Sequence, residues 1–205
     1  MINGLLGIQF NIEKARLDGK VQNLASYINK DTLISSHKQM DRKKAKGIDG
    51  VAKEDYSVHV EANVEHLVKR MKSGSYQPEP IRRVYIPKDG SDKMRPLGIS
   101  CYEDKLVENV IAQILTMVYE PKFYNDSFGF RPNRSCHQAV REVIGMVQYR
   151  KVNYIVEADI KGFFDNVDHE WLIKFLKHDI ADKKFIEIIG KFLKSGIMED
   201  GKYLD

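Results

Sequence analysis

The sequence is short of several things, and each shortage narrows what it can be. Of 205 residues two are cysteine, Cys101 and Cys136. They stand far apart with no CxxC and no histidine at ligand spacing, which speaks against a zinc site or a disulfide and suits a reducing cytoplasm. No apolar run approaches the roughly 18 residues of a membrane span, and the N-terminus lacks a signal-peptide pattern. A soluble, cytoplasmic protein with no membrane partner is the expectation. Internal repeats and low-complexity linkers are missing, and no two aspartates are adjacent.

What is present is enough for a globular protein. With 42% hydrophobic residues the chain can bury one substantial core, or one and part of a second. The net charge is only +4, but residues 1–152 carry 25 Lys and Arg against 18 Asp and Glu, whereas residues 153–205 carry 8 against 11. A basic front beside an acidic back suggests a polyanion-binding surface next to a cation-binding one, or two ordinary solvated faces.

Spacing predicts helices over 12–29 and 31–45, the second with Asp31 as N-cap, then a break at the glycines of Lys46–Gly50. A third helix is expected over 54–74, with Val60, Val64, Leu67 and Met71 on one face and Gly74 as its stop. The period then turns to alternation: residues 82–100 read as a hairpin around the turn KDGSDK. An apolar helix over 102–123 ends near Pro121, and a Gly-, Pro- and Asn-containing loop from Asn125 feeds an amphipathic helix. A buried strand is expected over Tyr154–Ala158, helices over 168–178 and 182–194, and a hairpin from Gly196 that stops in its second strand.

Four places bear chemistry. Asp159 closes the apolar stretch Tyr154–Ala158, where an unpaired carboxylate is costly unless a cation compensates it. It is a turn cap or a metal ligand. Lys88 and Arg95 flank the hairpin turn and can lie together over a triphosphate or a nucleic-acid backbone, or form an exposed basic turn; Arg82 and Arg83 add positive charge beside them. Phe128, Phe130, Arg131 and Arg134 interleave rings with guanidiniums, which suits base stacking and phosphate contact, or anchors a loop. After Gly162, Phe163 and Phe164 can pack under a sugar or fill the core.

Taken in order, KGIDG (46–50), RRVYIPK…MRPLGIS (82–100), SFGFRPNRSCHQAV (127–140) and VEADIKGFFDNVDHEWL (156–172) resemble the reverse transcriptases encoded by group II introns, also called maturases. Retron and diversity-generating reverse transcriptases share parts of this set. The resemblance implies an α+β right-hand polymerase: a helical N-terminal extension over 1–45, fingers over 46–152 and a partial palm over 153–205. It implies RNA-directed DNA polymerisation that copies intron RNA, and splicing assistance through binding that RNA. Asp159 would be the first metal-binding aspartate, with the carbonyl of Ile160 as a further ligand, for Mg²⁺ (two ions in a complete site). Phe164, with Phe163 beside it, would gate the sugar of a deoxynucleoside triphosphate. Lys88 and Arg95 would hold the triphosphate, and Arg82, Arg83, Arg131 and Arg134 would meet RNA or primer-template.

The family's tyrosine-alanine-aspartate-aspartate turn is missing here, as are thumb and maturase segments. The expectation is therefore a fragment of fingers and early palm that is inactive alone. Rival readings are an RNA-binding module without polymerase activity, a retron-type enzyme, and a surface for self-association as a homodimer.

Overall fold

The computed structural model describes residues 5, 7–9, 12–14, 19–88, 90 and 92–204. The architecture is α+β, and the chain divides into two compact units: Met1–Ile114 with His169–Asp205, and Leu115–Asp168.

In the first unit the expected helix over 12–29 is not continuous. Residues 12–14 are helical, but Gly19 takes φ +115° and only a 3₁₀ turn, Ala25–Tyr27, follows. Val21 instead bridges to Ile180, and the Asp182 carboxylate accepts from the Ala25 N–H at 2.8 Å. Helix α1, Lys30–Gln39, is capped by Asn29 and not by Asp31. Asn29 accepts from the N–H groups of Asp31 and Thr32, and Thr32 Oγ1 accepts from the Asn29 N–H at 3.1 Å, a reciprocal box that fixes the first turn. It ends six residues before Ala45, where four cations crowd residues 42–46, and Lys53 Nζ takes up the carbonyls of Lys38 and Met40.

The third expected helix forms as two pieces, α2 (Lys53–Ser57) and α3 (Val60–Ser73). Asn63 Nδ2 donates to the Tyr56 carbonyl at the break. Gly74 stops α3 in the left-handed region at φ +78°, and Val64 and Leu67 are fully buried as the pattern requires.

Strands β1 (Ile81–Pro87) and β2 (Met94–Ile99) form the expected antiparallel hairpin, closed by Lys88 N–H to the Lys93 carbonyl at 2.9 Å. Asp89 and Ser91 of its turn lie outside the described residues. Helix α4 (Tyr102–Tyr119) carries Leu106, Val107, Val110 and Ile114 buried at the spacing of one helical face, and runs from the first unit into the second. Helices α6 (His169–Asp179) and α7 (Lys183–Leu193) lie near their expected bounds, α7 capped by Asp182 on the Phe185 N–H at 3.1 Å. β3 (Ile197–Glu199) and β4 (Lys202–Leu204) form the closing hairpin. Beyond the sequence pattern, β3 joins β1 in parallel, which makes one sheet of order β2-β1-β3-β4.

The second unit holds a 3₁₀ turn, Glu120–Lys122, the loop over 123–135, α5 (Cys136–Tyr149) and the run to Asp168. Ser135 caps α5 reciprocally with Gln138, yet α5 buries no residue. The strand expected at Tyr154–Ala158 is absent: residues 151–160 take no regular structure, and Val156 is 89% exposed. A strand needs backbone partners, and no described segment pairs with this one. Among the described residues no helix is long and apolar enough to cross a membrane.

Candidate functional site

The hairpin sorts its cations by partner. In an antiparallel pair, residues opposite one another share a face, so the register Arg82–Ile99, Val84–Leu97 and Ile86–Arg95 puts these six on one side. Alternation carries Lys88, joined to Lys93 by the closing hydrogen bond, onto that same side. Lys88 and Arg95 are exposed, and neither side chain has a partner among the described residues. Toward the root, Leu97 and Ile99 help wall a cavity of about 830 Å³, together with Lys44, Lys105 and Asn109.

Arg82 and Arg83 are engaged within the fold. Arg82 donates through Nε and Nη2 to the Lys46 carbonyl at 3.1 and 2.7 Å. Arg83, on the opposite face, donates to Glu199 Oε2 at 3.3 Å, while the Tyr85 hydroxyl donates to Glu199 Oε1 at 2.5 Å. Glu199 thereby raises the Tyr85 pKa, because its hydrogen bond favours the protonated phenol. Sequence spacing carries no sign of this cluster, since it exists only once β3 lies beside β1.

In the second unit Arg131 is the hub of its loop. Its side chain is 7% exposed. It donates to both oxygens of Glu120 at 2.8 to 3.2 Å and to the carbonyls of Tyr124 and Ser127 at 2.7 Å, and it lies over the Phe123 ring at 5.2 Å. Arg134 is held more loosely, 3.5 Å from Asn125 Oδ1 and 5.6 Å from the centre of the Phe128 ring. Phe130 is wholly exposed at a positive φ of 55°.

Asp159 is exposed, and its carboxylate has no partner among the described residues, so it caps no turn in this structure. Nor does it sit at the edge of a core, because Tyr154, Ile155, Val156 and Ile160 are exposed as well. Gly162, at φ +61°, makes the turn that follows, and Asn166 Nδ2 ties it by donating to the Gly162 carbonyl at 2.7 Å. Phe163 and Phe164 meet edge to face at 5.3 Å and remain exposed, Phe164 by 87%, so neither fills a core. A carboxylate and the Ile160 carbonyl are hard oxygen donors of the kind Mg²⁺ takes, but no group of three or more His, Cys, Asp or Glu among the described residues could hold a metal.

One polar cluster in the first unit was not visible in the sequence. Asp104, 3% exposed on α4, accepts from the Tyr76 hydroxyl at 2.5 Å and from the Glu79 N–H at 3.0 Å. Burial pushes its pKa up to about 6. Next to it Glu103 pairs with Arg70 and accepts from the Tyr56 hydroxyl at 3.1 Å. The available signal was an acidic pair opening a strongly apolar helix.

Comparison with known proteins supplies the family. Residues 86–203, more than half of the chain, match the model of the reverse transcriptase (RNA-dependent DNA polymerase) family. The group II intron-encoded protein LtrA of Lactococcus lactis subsp. cremoris is 43% identical over 143 residues, which is 70% of this chain and 24% of that protein. Protein YkfC of Escherichia coli is 34% identical over 160 residues, 77% of this chain and 42% of that protein. The mitochondrial nuclear intron maturase 2 of Arabidopsis thaliana is 30% identical over 107 residues, 49% of this chain and 14% of that protein. The chain thus spans between about a quarter and two fifths of the first two. On these matches the chain belongs to the reverse transcriptase family, with group II intron proteins and maturases among its relatives.

Proposed function

We propose that the chain is the fingers and early palm of a right-hand polymerase that copies group II intron RNA into DNA and assists splicing by binding that RNA. Residues 1–45 are its helical extension, 46–152 its fingers and 153–205 its partial palm. One observation carries this reading: on a hairpin whose other arginines are engaged within the fold, Lys88 and Arg95 share a face, exposed and without a side-chain partner among the described residues. Two such cations suit the phosphates of an incoming deoxynucleoside triphosphate, by charge-assisted hydrogen bonds.

Asp159 and the Ile160 carbonyl are the residues that would hold Mg²⁺, which when bound supplies Lewis-acid stabilisation of phosphoryl charge. Phe163 and Phe164 stand ready for the sugar. Arg134 faces RNA, and Arg131 holds the loop from which it does so. We take this chain alone to bind RNA without polymerising, because the second acidic motif that would complete metal binding with Asp159 does not occur in its 205 residues.

Mg²⁺-dependent primer extension on an RNA template tests this, on the full-length protein and on this chain. The full-length protein extends the primer, and the chain binds structured RNA without extending it. Incorporation by the purified chain, or none by the full-length protein, contradicts the proposal.

A further inference from the structure

The motif Lys46–Gly50 has no task in the assignments above. It forms neither helix nor strand, yet it meets β1, the end of β2 and the start of α4. A Cβ on buried Gly47 would lie 2.6 Å from Cys101 Cα and 2.7 Å from both Cys101 N and the Ser100 carbonyl oxygen. Backbone lies against backbone there, so no side chain fits.

The hydrogen bonds make the contact directional. The Lys46 carbonyl accepts both donors of Arg82, in the second position of β1. Asp49 divides its carboxylate, Oδ1 accepting from Val51 N–H at 3.2 Å and Oδ2 from Tyr102 N–H at 3.3 Å. Tyr102 opens α4, where the first amides lack intrahelical partners. Just ahead of the motif, the Ala45 carbonyl accepts from Lys105 Nζ at 2.6 Å. Both strands of the hairpin are therefore tied at their root to one short loop.

Lys88 follows Arg82 by six residues, so at about 3.3 Å per residue the tip stands roughly 20 Å from the root. A tilt of about three degrees at the root moves the tip by about 1 Å, and misplacement on that scale costs up to about 10²-fold in a positioned reaction.

We propose that Lys46–Gly50 is a positioning clamp, in which Gly47, Asp49 and the Lys46 carbonyl fix the angle at which the hairpin presents Lys88 and Arg95. The inference rests on the reading of those two cations as nucleotide contacts. Arg82 acts through Lys46 and not on a ligand.

The test uses Asp49→Ala and Arg82→Met in the full-length protein. Nucleotide KM rises about tenfold, while the primer-template Kd and its salt dependence stay unchanged; Arg82→Lys, which keeps one donor, recovers part of the loss. In the chain described here both variants speed amide exchange over residues 82–99 and leave α3 and α7 unaffected. Unchanged exchange over 82–99 overturns the clamp, as does unchanged KM where Lys88→Ala and Arg95→Ala raise it. Weaker RNA binding with a shallower salt slope for Arg82→Met alone also overturns it, by giving Arg82 to nucleic acid. If Lys88→Ala with Arg95→Ala leaves KM unchanged, the nucleotide reading fails, and the exchange rates still decide whether the loop holds the hairpin.

Discussion

In the unit of residues 1–114 and 169–205, Asp104, His37 and Ser36 are buried and each meets a donor or acceptor, whereas in residues 115–168 the carboxylate of Asp159 and the rings of Phe163 and Phe164 are exposed. The first unit uses polar groups to join elements distant in sequence: His37 lies 2.9 Å from the Tyr102 hydroxyl, and Ser36 accepts from Asn109 at 2.9 Å. Such links offset the cost of burying polar groups, since one left unpaired costs about 1–3 kcal/mol. The second unit is too short to bury a core and lacks a sheet, so its apolar run over 154–156 and the face of α5 stay exposed. Its half-buried ion pair, Arg131 with Glu120, supports a loop that leaves Phe130 exposed and Arg134 only loosely held. Buried polar groups mark scaffold here, and unpartnered exposed ones mark the surface proposed to act.

The contrast is sharpest at Asp159. Asp159→Asn is expected to abolish DNA synthesis by the full-length protein, by about 10³-fold or more if it removes a metal ligand. It should change stability by no more than about 0.5 kcal/mol, since an exposed, unpartnered carboxylate neither stabilises nor strains the fold. Primer extension and a denaturant titration read the two effects.

Arg131→Ala should act in the opposite sense. Losing a bidentate partner leaves Glu120, whose side chain is 29% exposed, without its cation, at an expected cost of about 2 kcal/mol in the second unit. Faster amide exchange over residues 120–135 reports it, and unchanged exchange would show that the loop does not depend on this hub.

Within the scaffold, Asp104 gives a pH signature. Its pKa of about 6 in the folded chain lies above the ordinary 3.8, so between those values the folded state binds more protons than the unfolded one and stability falls as pH rises. This contribution is complete below about 3.8 and is lost by the time the pH has passed about 6. His37, whose pKa burial lowers, acts with the opposite sign below 6.5. The difference between wild type and Asp104→Asn isolates the aspartate: urea midpoints from pH 4 to 7 should decline less steeply in the variant, and parallel curves would contradict the assignment.

The smallest effect is expected at Arg134. Arg134→Ala should weaken RNA binding by this chain a few fold and reduce the salt slope by about 1, with the melting temperature unchanged. Binding that ignores salt would make the basic front a solvated face only.

Much of this fold follows from local pattern. Alternation around KDGSDK located the β1–β2 hairpin, Gly74 stopped α3, and the apolar composition of residues 102–123 marked α4. Pattern failed where the deciding partner lay far along the chain. β3 reaches β1 across more than a hundred residues, and Glu199 comes with it to Arg83. Asn29 outdid Asp31 as a cap because Thr32 could complete the reciprocal box. Tyr154–Ala158 has strand composition, but composition cannot supply the neighbouring backbone that a strand requires. At the candidate site, residue type pointed to Lys88, Arg95 and Asp159. Only the structure separated those groups, which have no side-chain partner among the described residues, from Arg82, Arg83 and Arg131, which donate within the fold.

The most direct test of the account is a nucleotide titration of primer extension on an RNA template, comparing the full-length protein with its Lys88→Ala and Arg95→Ala variants, with primer-template Kd measured alongside. Each variant removes a charge-assisted phosphate contact worth about 1.5–3 kcal/mol. Nucleotide KM should therefore rise by about 10- to 100-fold, while primer-template Kd holds within about twofold. Weakened primer-template binding with unchanged nucleotide dependence would contradict the account and give this face of the hairpin to the template.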